Sequence, residues 1–313
     1  VSRLGGLAIA ALVIALLPLG LRNSYAYDLA IRVALNATAV VGLNLLVGHA
    51  GQISLGHAAF LALGAYGSAI LCKRFGWPPM AALASSAAGV GAIAFVVGRP
   101  ILRLRGHYLA MATLGLGVII SIALGNETAW TGGADGTSVP PLSVLGLTLS
   151  SERAWYWTAT LALLAAVTLA ENLVDSPVGR AVRALHGSET AAEVAGVDTA
   201  RYKLRVFVVS AVFASVVGSL TAHHVGYITP QLASFFHSIE LVTMVVVGGM
   251  ASTWGGVLGA VLLTVLPQLL ARFEGFEMIA FGLILMLTVI FLPRGLLPSL
   301  RILLRRILLR RAG

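Results

Sequence analysis

Two glycine-rich runs hold the side chains best placed to meet a small solute in an otherwise apolar chain. Gly48-His-Ala-Gly-Gln-Ile-Ser-Leu-Gly-His57 and Gly248-Gly-Met-Ala-Ser-Thr-Trp-Gly-Gly256 each interrupt an apolar segment and are each followed at once by another. Backbone opened at membrane depth must be buried in protein or line a watery cavity, because hydrocarbon offers its amide groups no partner. Gly48, Gly51, Gln52, Ser54, Gly56, His57, Gly248, Gly249 and Ser252, with Asn44 and Thr113 on neighbouring apolar runs, are therefore candidates for a translocation path or its gate. The competing reading of each polar member, and of Asn36 and Thr243, is an interhelical hydrogen bond worth about 0.6–2 kcal/mol. Gly48 and Gly56 recur as Gly248 and Gly256 at an offset of 200 residues, a faint trace of duplication.

Other chemistries find few residues. Proton or sodium coupling usually needs carboxylates inside the membrane, yet Glu171 and Glu240 fall near span ends and the remaining acids lie in loops or at termini. A secondary transporter thereby loses its usual chemistry, a passive channel is harder to exclude, and a membrane-embedded enzyme has the least support. No Gly-x-x-x-x-Gly-Lys-Ser/Thr loop occurs, so the usual phosphate cradle is missing. His223, His224 and His237 have no defined ligand spacing and read as aqueous loop histidines rather than a metal site. Cys72 is the single cysteine, which excludes an internal disulfide.

The elements that must position these groups are transmembrane helices. With 58% hydrophobic and 11% charged residues and a mean hydropathy of +0.93, the chain is an integral membrane protein. Its 35 glycines suit closely packed helices, and the alternation of a β-barrel is missing. Against the roughly 17–25 residues that a spanning helix needs, apolar runs near 4–21, 29–47, 79–98, 107–124, 154–173, 206–222 and 276–292 are full spans. Runs near 58–72, 239–250 and 257–270 are short and read as broken, tilted or buried. The expected fold is all-α, with about ten crossings and both termini cytoplasmic. In that orientation fifteen arginines and lysines lie inside and five outside (Arg22, Lys73, Arg74, Arg153 and Arg272), as positive-inside topology requires. Arg32 remains in the second span, snorkelling or facing a companion. The basic excess of +9 thus records topology rather than nucleic-acid binding. Ser24 and Ala26 would suit signal cleavage, but the length of the first run and Arg22 favour an uncleaved span. Segments 125–153 and 223–238 face outward. At the other extreme of the chain, 299–311 reads as a basic interfacial helix, with Leu300, Leu303, Leu304, Ile307 and Leu308 opposite Arg301, Arg305, Arg306 and Arg310, lying on membrane lipid.

One charged, helix-forming insert, 175–205, interrupts the apolar pattern on the basic side. Asp175 or Ser176 can cap a helix with Pro177 at its first position, running to about Gly187. Thr190 and Glu193 have capping-box spacing, Gly196 is a natural stop, and Asp198 can cap the next span. Two short helices joined at a glycine make a rigid knob, suited to being pushed by another protein; the plainer reading is a solvated connection.

These residues resemble a known family. The run from Gly42 to Tyr66 resembles the signature of permease subunits of branched-chain amino acid ABC importers. So do Tyr108-Leu-Ala-Met-Ala-Thr-Leu114, Thr131-Gly-Gly-Ala-Asp-Gly136, Ser176-Pro-Val-Gly-Arg-Ala-Val-Arg-Ala-Leu185 with Ala191-Ala-Glu-Val-Ala-Gly-Val197, and Val247 to Gly256. The resemblance covers most of residues 30–295 and is closer to the M-type (LivM-type) subunit than to its H-type companion. It implies a single permease domain, 1–313, in a bacterial-type cytoplasmic (inner) membrane. The implied partners are a second homologous permease, two cytosolic ATPases and an extracytoplasmic solute-binding protein. The subunit would be no enzyme and hold no cofactor, ATP and magnesium belonging to the ATPases. The insert would be the ATPase-coupling region, with Pro177, Gly179, Arg180, Arg183, Leu185, Glu193, Gly196 and Val197 as its residues. Arg180 and Arg183 would pair with acids there, phospholipid headgroups being an equally simple partner, and Leu185, Val194 and Val197 would supply apolar anchoring. Transport would run by alternating access. Because the family also includes permeases for urea and short amides, the substrate remains open between these and branched-chain amino acids.

Overall fold

The computed structural model describes residues 3–20, 23–144 and 147–270, and beyond them 279, 282–283, 286–287, 290–291 and 295–299. Its long helices are α1 (Arg3–Gly20), α2 (Ser24–Asn44), α3 (His57–Phe75), α4 (Pro79–Ile101), α5 (His107–Asn126), α7 (Glu152–Asp175), α10 (Thr199–Val225), α11 (Phe235–Gly248) and α12 (Thr253–Leu270). Shorter ones are α6 (Thr128–Thr131), α8 (Pro177–Gly187) and α9 (Glu189–Val194). Four two-residue strands, β1 (Thr137–Ser138), β2 (Ser143–Val144), β3 (Leu147–Thr148) and β4 (Tyr227–Ile228), form the antiparallel ladders β1–β4 and β2–β3. Among the described residues seven helices are long and apolar enough to cross a membrane, and Gly5–Gly20 and Phe235–Gly248 are shorter apolar helices. The expected span 276–292 and the tail 299–311 lie largely outside the described residues.

Two of the runs expected to be short are full spans. Helix α3 has 19 residues because its ends, His57 at one and Lys73 and Arg74 at the other, are polar yet helical. The fully buried His57 joins its Nε2 to the Ser210 carbonyl across 3.2 Å, so a polar residue begins the span with one ring nitrogen paired, while its Nδ1 finds no partner among the described residues. Helix α12 starts four residues before its apolar run, at Thr253. Only α11, with 14 residues, keeps the expected short length.

The core is built around α2 and its contacts with α7, α10 and α12. Ile31, Val40, Val41, Leu43, Leu46 and Val47 are buried there together with Phe207, Ala211, Ala214 and Leu241. Small residues bring α3 and α10 together: a Cβ at Gly218 would strike the Leu61 carbonyl, and one at Gly64 would strike Ser215. The Gly64 carbonyl accepts from Ser86 Oγ and from Ser219 Oγ, both at 2.9 Å. Dispersion and hydroxyl bonds therefore hold these helices, as expected where burying apolar surface gives no gain over lipid.

The 27 residues of α10 span about 40 Å at 1.5 Å per residue, and its two ends mark the two ends of the molecule. At its start lie α8, α9 and the turn after α4, tied by Arg105 to Glu189 and Glu193. At its finish lie β4 and the 128–138 loop, tied by the β1–β4 ladder and by Tyr227 Oη donating to the Asp135 carbonyl at 2.6 Å.

Several expectations are corrected here. Arg32, in the second span, is paired within its own helix: its Nε donates to Asp28 Oδ2 at 2.7 Å, one turn away. His223 and His224 belong to the last turn of α10 rather than to a loop. His223 bridges Ser68 Oγ (2.8 Å) and the Pro140 carbonyl (2.7 Å), and His224 meets Asp28 (3.1 Å). His237 sits 3.3 Å from Glu240, and no group of metal-binding side chains occurs among the described residues.

Candidate functional site

Sequence reasoning placed the two glycine-rich breaks in one category; the fold places them against each other. Helix α2 ends in a π-helical turn, Leu45–His49, and the chain then runs irregularly to His57. The extra residue in a π turn leaves the helix poorly continued, a feature common at functional sites. Between α11 and α12 the second break holds Ala251 at φ +58°, in the left-handed region that costs a side-chain-bearing residue about 1–2 kcal/mol.

Asn44 joins them. Its Oδ1 accepts from the Ala251 amide at 3.1 Å and its Nδ2 donates to the Ser252 carbonyl at 2.8 Å, so one buried amide satisfies both exposed groups of the strained turn. A Cβ at Gly48 would strike both Asn44 Oδ1 and the Ala251 amide, and one at Gly248 would strike the Gly255 carbonyl. Gly249 is equally close to Gly295. Asn44, Gly48, Gly248, Gly249 and Ser252 thus form one junction.

Gly56 and Thr113 form a second contact. The Thr113 hydroxyl accepts from the Leu55 amide and donates to the Ala110 carbonyl, each at 3.0 Å, and Gly56 lies against the Thr113 carbonyl and Gly117. Gln52 Nε2 donates locally to the Ala50 carbonyl at 3.1 Å, and Ser54 is buried. His57, bonded to Ser210, belongs to helix packing. Asn44 and Thr113 therefore bond to the breaks, while His57 and Asn36, whose Nδ2 meets Thr264 Oγ1 at 3.0 Å, make interhelical bonds.

A cavity of about 910 Å³ between α1, α2, α7 and α12 reaches this junction. Its mostly apolar wall includes Val33, Leu163, Val167 and Val257, and its polar members include His49, Thr160, Glu171, Ser252 and Thr253. His49, 7% exposed, finds no protein partner for either ring nitrogen among the described residues, and Glu171 Oε2 is likewise buried without one. Sequence reasoning missed both: His49 lay unnoticed inside the first glycine-rich run, and Glu171 counted only as a span end.

The insert folds much as expected up to Asp198. Ser176 caps α8 by accepting from the Gly179 amide (3.2 Å), with Pro177 first; Gly196 turns the chain at φ +83°, and Asp198 caps α10 through the Arg201 amide (3.0 Å). The insert proper ends there, because 199–205 are the first turns of α10. Four details differ from expectation. Ser188, not Thr190, caps α9 (3.2 Å to the Ala191 amide), and Glu193 Oε1 accepts from Thr199 Oγ1 at 2.8 Å. Leu185 is buried with Val182 and is no surface anchor. Arg180 and Arg183 are exposed but turn back onto the end of α7, donating to the Asp175 carbonyl (3.4 Å) and the Val174 carbonyl (2.5 Å). Gly179 lets α8 cross those same carbonyls, since a Cβ there would strike Val174.

The insert also touches the breaks. Gly51, at φ +66°, lies where a Cβ would be 3.0 Å from His186 Nδ1 of α8. Displacement of α8 therefore has a direct contact through which to reach the irregular segment after α2.

Losing the clamp has a predictable cost. Asn44→Ala should destabilise the protein by about 1–3 kcal/mol, two part-buried backbone groups losing their partners, read as a lowered midpoint of unfolding in detergent. Adding Ala251→Gly, which relieves the left-handed strain, should restore part of it. Equal midpoints for Asn44→Ala and the native chain would remove the clamp from the account.

Broken, short and close-packed helices that meet at a buried junction beside a deep cavity define a polytopic helical membrane protein of the solute-permease class. The chain belongs to the family described as branched-chain amino acid transport system / permease component, whose model matches residues 25–292. It is 37% identical over 290 residues to the high-affinity branched-chain amino acid transport system permease protein LivM of Salmonella typhimurium, covering 83% of this chain and 67% of that protein. LivM of Escherichia coli is 36% identical over the same length. LivH of Escherichia coli is 26% identical over 291 residues, covering 90% of that protein. The LivM-type resemblance is thus the stronger. No solved structure matches.

Proposed function

We propose that this chain is the M-type permease subunit of an ATP-driven importer for branched-chain amino acids, carrying no catalytic site or cofactor of its own. Its working partners are a second homologous permease, two cytosolic ATPases with ATP and magnesium, and an extracytoplasmic binding protein. It sits in the cytoplasmic membrane with both termini, α8 and α9 on the cytoplasmic side. The observation that carries this reading is the seating of the insert on the junction. Gly51 lies against His186, and the same break is pinned through Asn44 to the second. A push on α8 is delivered to the two segments where helices are interrupted, and the surrounding helices rock around the path in alternating access. Relatives named as branched-chain amino acid permeases support the substrate, and the apolar wall of the cavity suits a branched side chain.

Proteoliposomes containing the full complex should accumulate leucine only with internal ATP and external binding protein. The chain alone should conduct none. Leucine flux through the isolated subunit would make it a channel, and accumulation of urea or a short amide in place of leucine would reassign the substrate.

A further inference from the structure

At the end of the molecule opposite the insert, two adjacent cations face one cavity of about 480 Å³. Lys73 and Arg74 stand in the last turn of α3, where the helix dipole favours positive charge. The dipole accounts for their location but supplies no counter-ion. Lys73 Nζ donates to Thr137 Oγ1 at 2.8 Å and to Ser138 Oγ at 3.2 Å, two neutral acceptors, which leaves its third N–H and its charge uncommitted. The Arg74 guanidinium lies over the Trp130 ring at 4.4 Å, with Phe75 stacked on the same ring at 6.3 Å. Stacking fixes the plane of the guanidinium and leaves its N–H edge available for a two-pronged bond. The ion pairs among the described residues use Asp28, Glu189, Glu193, Asp198 and Glu240, and none reaches Lys73 or Arg74.

We propose that this cavity is a socket for a carboxylate side chain of the extracytoplasmic binding protein, an inference that rests on the importer reading above. A free amino acid fits poorly, because among the described residues no carboxylate lines the cavity to receive its ammonium group while two cations repel it. A protein surface fits better. The walls beyond the end of α3 are the 128–138 loop and the β1–β4 ladder, which lie outside the spanning segments, and Tyr227 is held at the rim by Asp135. Arginine, tryptophan and tyrosine at a rim are the composition of an interface hot spot. Charge placed there also accelerates encounter with an acidic partner.

The test uses the reconstituted complex with leucine-loaded binding protein as the probe, and uptake is measured against binding-protein concentration. Lys73→Gln and Arg74→Gln should each raise the half-saturating concentration about tenfold at low salt, and flatten its dependence on sodium chloride. The charge-keeping Lys73→Arg and Arg74→Lys should stay within about threefold of the native complex. Unchanged half-saturation in the glutamine variants overturns the socket. So does an unaltered salt dependence, or an effect that appears only when phosphatidylglycerol is included in the vesicles, which would assign the cavity to lipid phosphate. Binding of free leucine that is lost on Lys73→Gln would overturn it in favour of a substrate site. If the native complex shows no dependence on binding protein, the importer reading falls and the socket with it. If the native complex depends on binding protein and the glutamine variants behave as it does, the socket alone falls.

Discussion

Lys203→Met should lower stability by about 2–4 kcal/mol and disable uptake by the assembled complex, although residue 203 touches neither the junction nor the cavity beside it. Lys203 lies in the second turn of α10 and is 1% exposed. Its Nζ is 2.5 Å from Glu189 Oε1 of α9. Arg105, from the turn after α4, reaches the same Glu189 oxygen at 3.4 Å and Glu193 at 3.3 Å. One lysine and one arginine thereby fasten α9 to α10 and to the α4–α5 turn. Breaking a fully buried pair from one side typically costs about 3–5 kcal/mol, because the remaining charge stays desolvated. Here the remaining Glu189 side chain is 20% exposed and keeps Arg105, which reduces the loss. The double variant Lys203→Met/Glu189→Met should be more stable than Lys203→Met alone, since no buried charge is then stranded. Unfolding midpoints in detergent check the order. If the single variant unfolds with the native chain, the pair contributes nothing to holding α9. In vesicles the same variant should retain assembly but show ATP hydrolysis no longer matched by uptake, because a loosened α9 takes up the push that α8 would pass to Gly51.

None of this clamp was visible in the linear pattern. Hydropathy and length locate the spans because a helix in hydrocarbon must satisfy its own backbone, and caps such as Ser176 and Asp198 act on amides three residues away, so both are local signals. The same local reading shortened α3 by discounting His57, Lys73 and Arg74, which meet Ser210, the Thr137 and Ser138 hydroxyls, and the Trp130 ring, all far away in sequence. It extended the insert to 205 by counting Lys203 and Arg205 as solvated, whereas Lys203 is buried through its bond to Glu189. At the breaks, glycine spacing marked the right segments but not their meeting: Asn44 and Ala251 are 207 residues apart, and only tertiary structure shows that one amide closes both. The arginines of the insert show the same limit of local reading. Arg180 and Arg183 do share a face, but the nearest acceptors for their N–H groups are the carbonyls ending α7, which any helix terminus leaves available.

Val194→Asp should leave the permease folded while weakening its hold on the ATPases by at least about thirtyfold. Val194 ends α9 and is 86% exposed, more than any other large apolar side chain among the described residues. The others lie chiefly on long helices, where lipid contact explains them; Val194 stands on the charged insert, where lipid does not. Its surroundings hold it rigidly. Glu193 is bonded to Thr199 and Arg105, the Val197 amide donates to the Ala192 carbonyl at 2.9 Å, and Gly196 turns the chain immediately after. A fixed apolar knob on a rigid turn loses little side-chain freedom on docking, so its burial in a partner groove is nearly all gain. A carboxylate in that groove would be desolvated without a partner, a loss of about 2 kcal/mol or more, which is roughly thirtyfold in affinity. In the free subunit the substitution is at the surface and should alter stability by less than about 0.5 kcal/mol. Leu185→Ala provides the contrast. That side chain is buried beneath α8, so its truncation should cost about 2–5 kcal/mol of stability. Co-purification of the ATPases with each variant, alongside its unfolding midpoint, separates the two effects. A Val194→Asp subunit that retains its ATPases at native stoichiometry and stimulation would move the docking contact off the tip of the insert, leaving the exposed face of α8 as the surface to be tested.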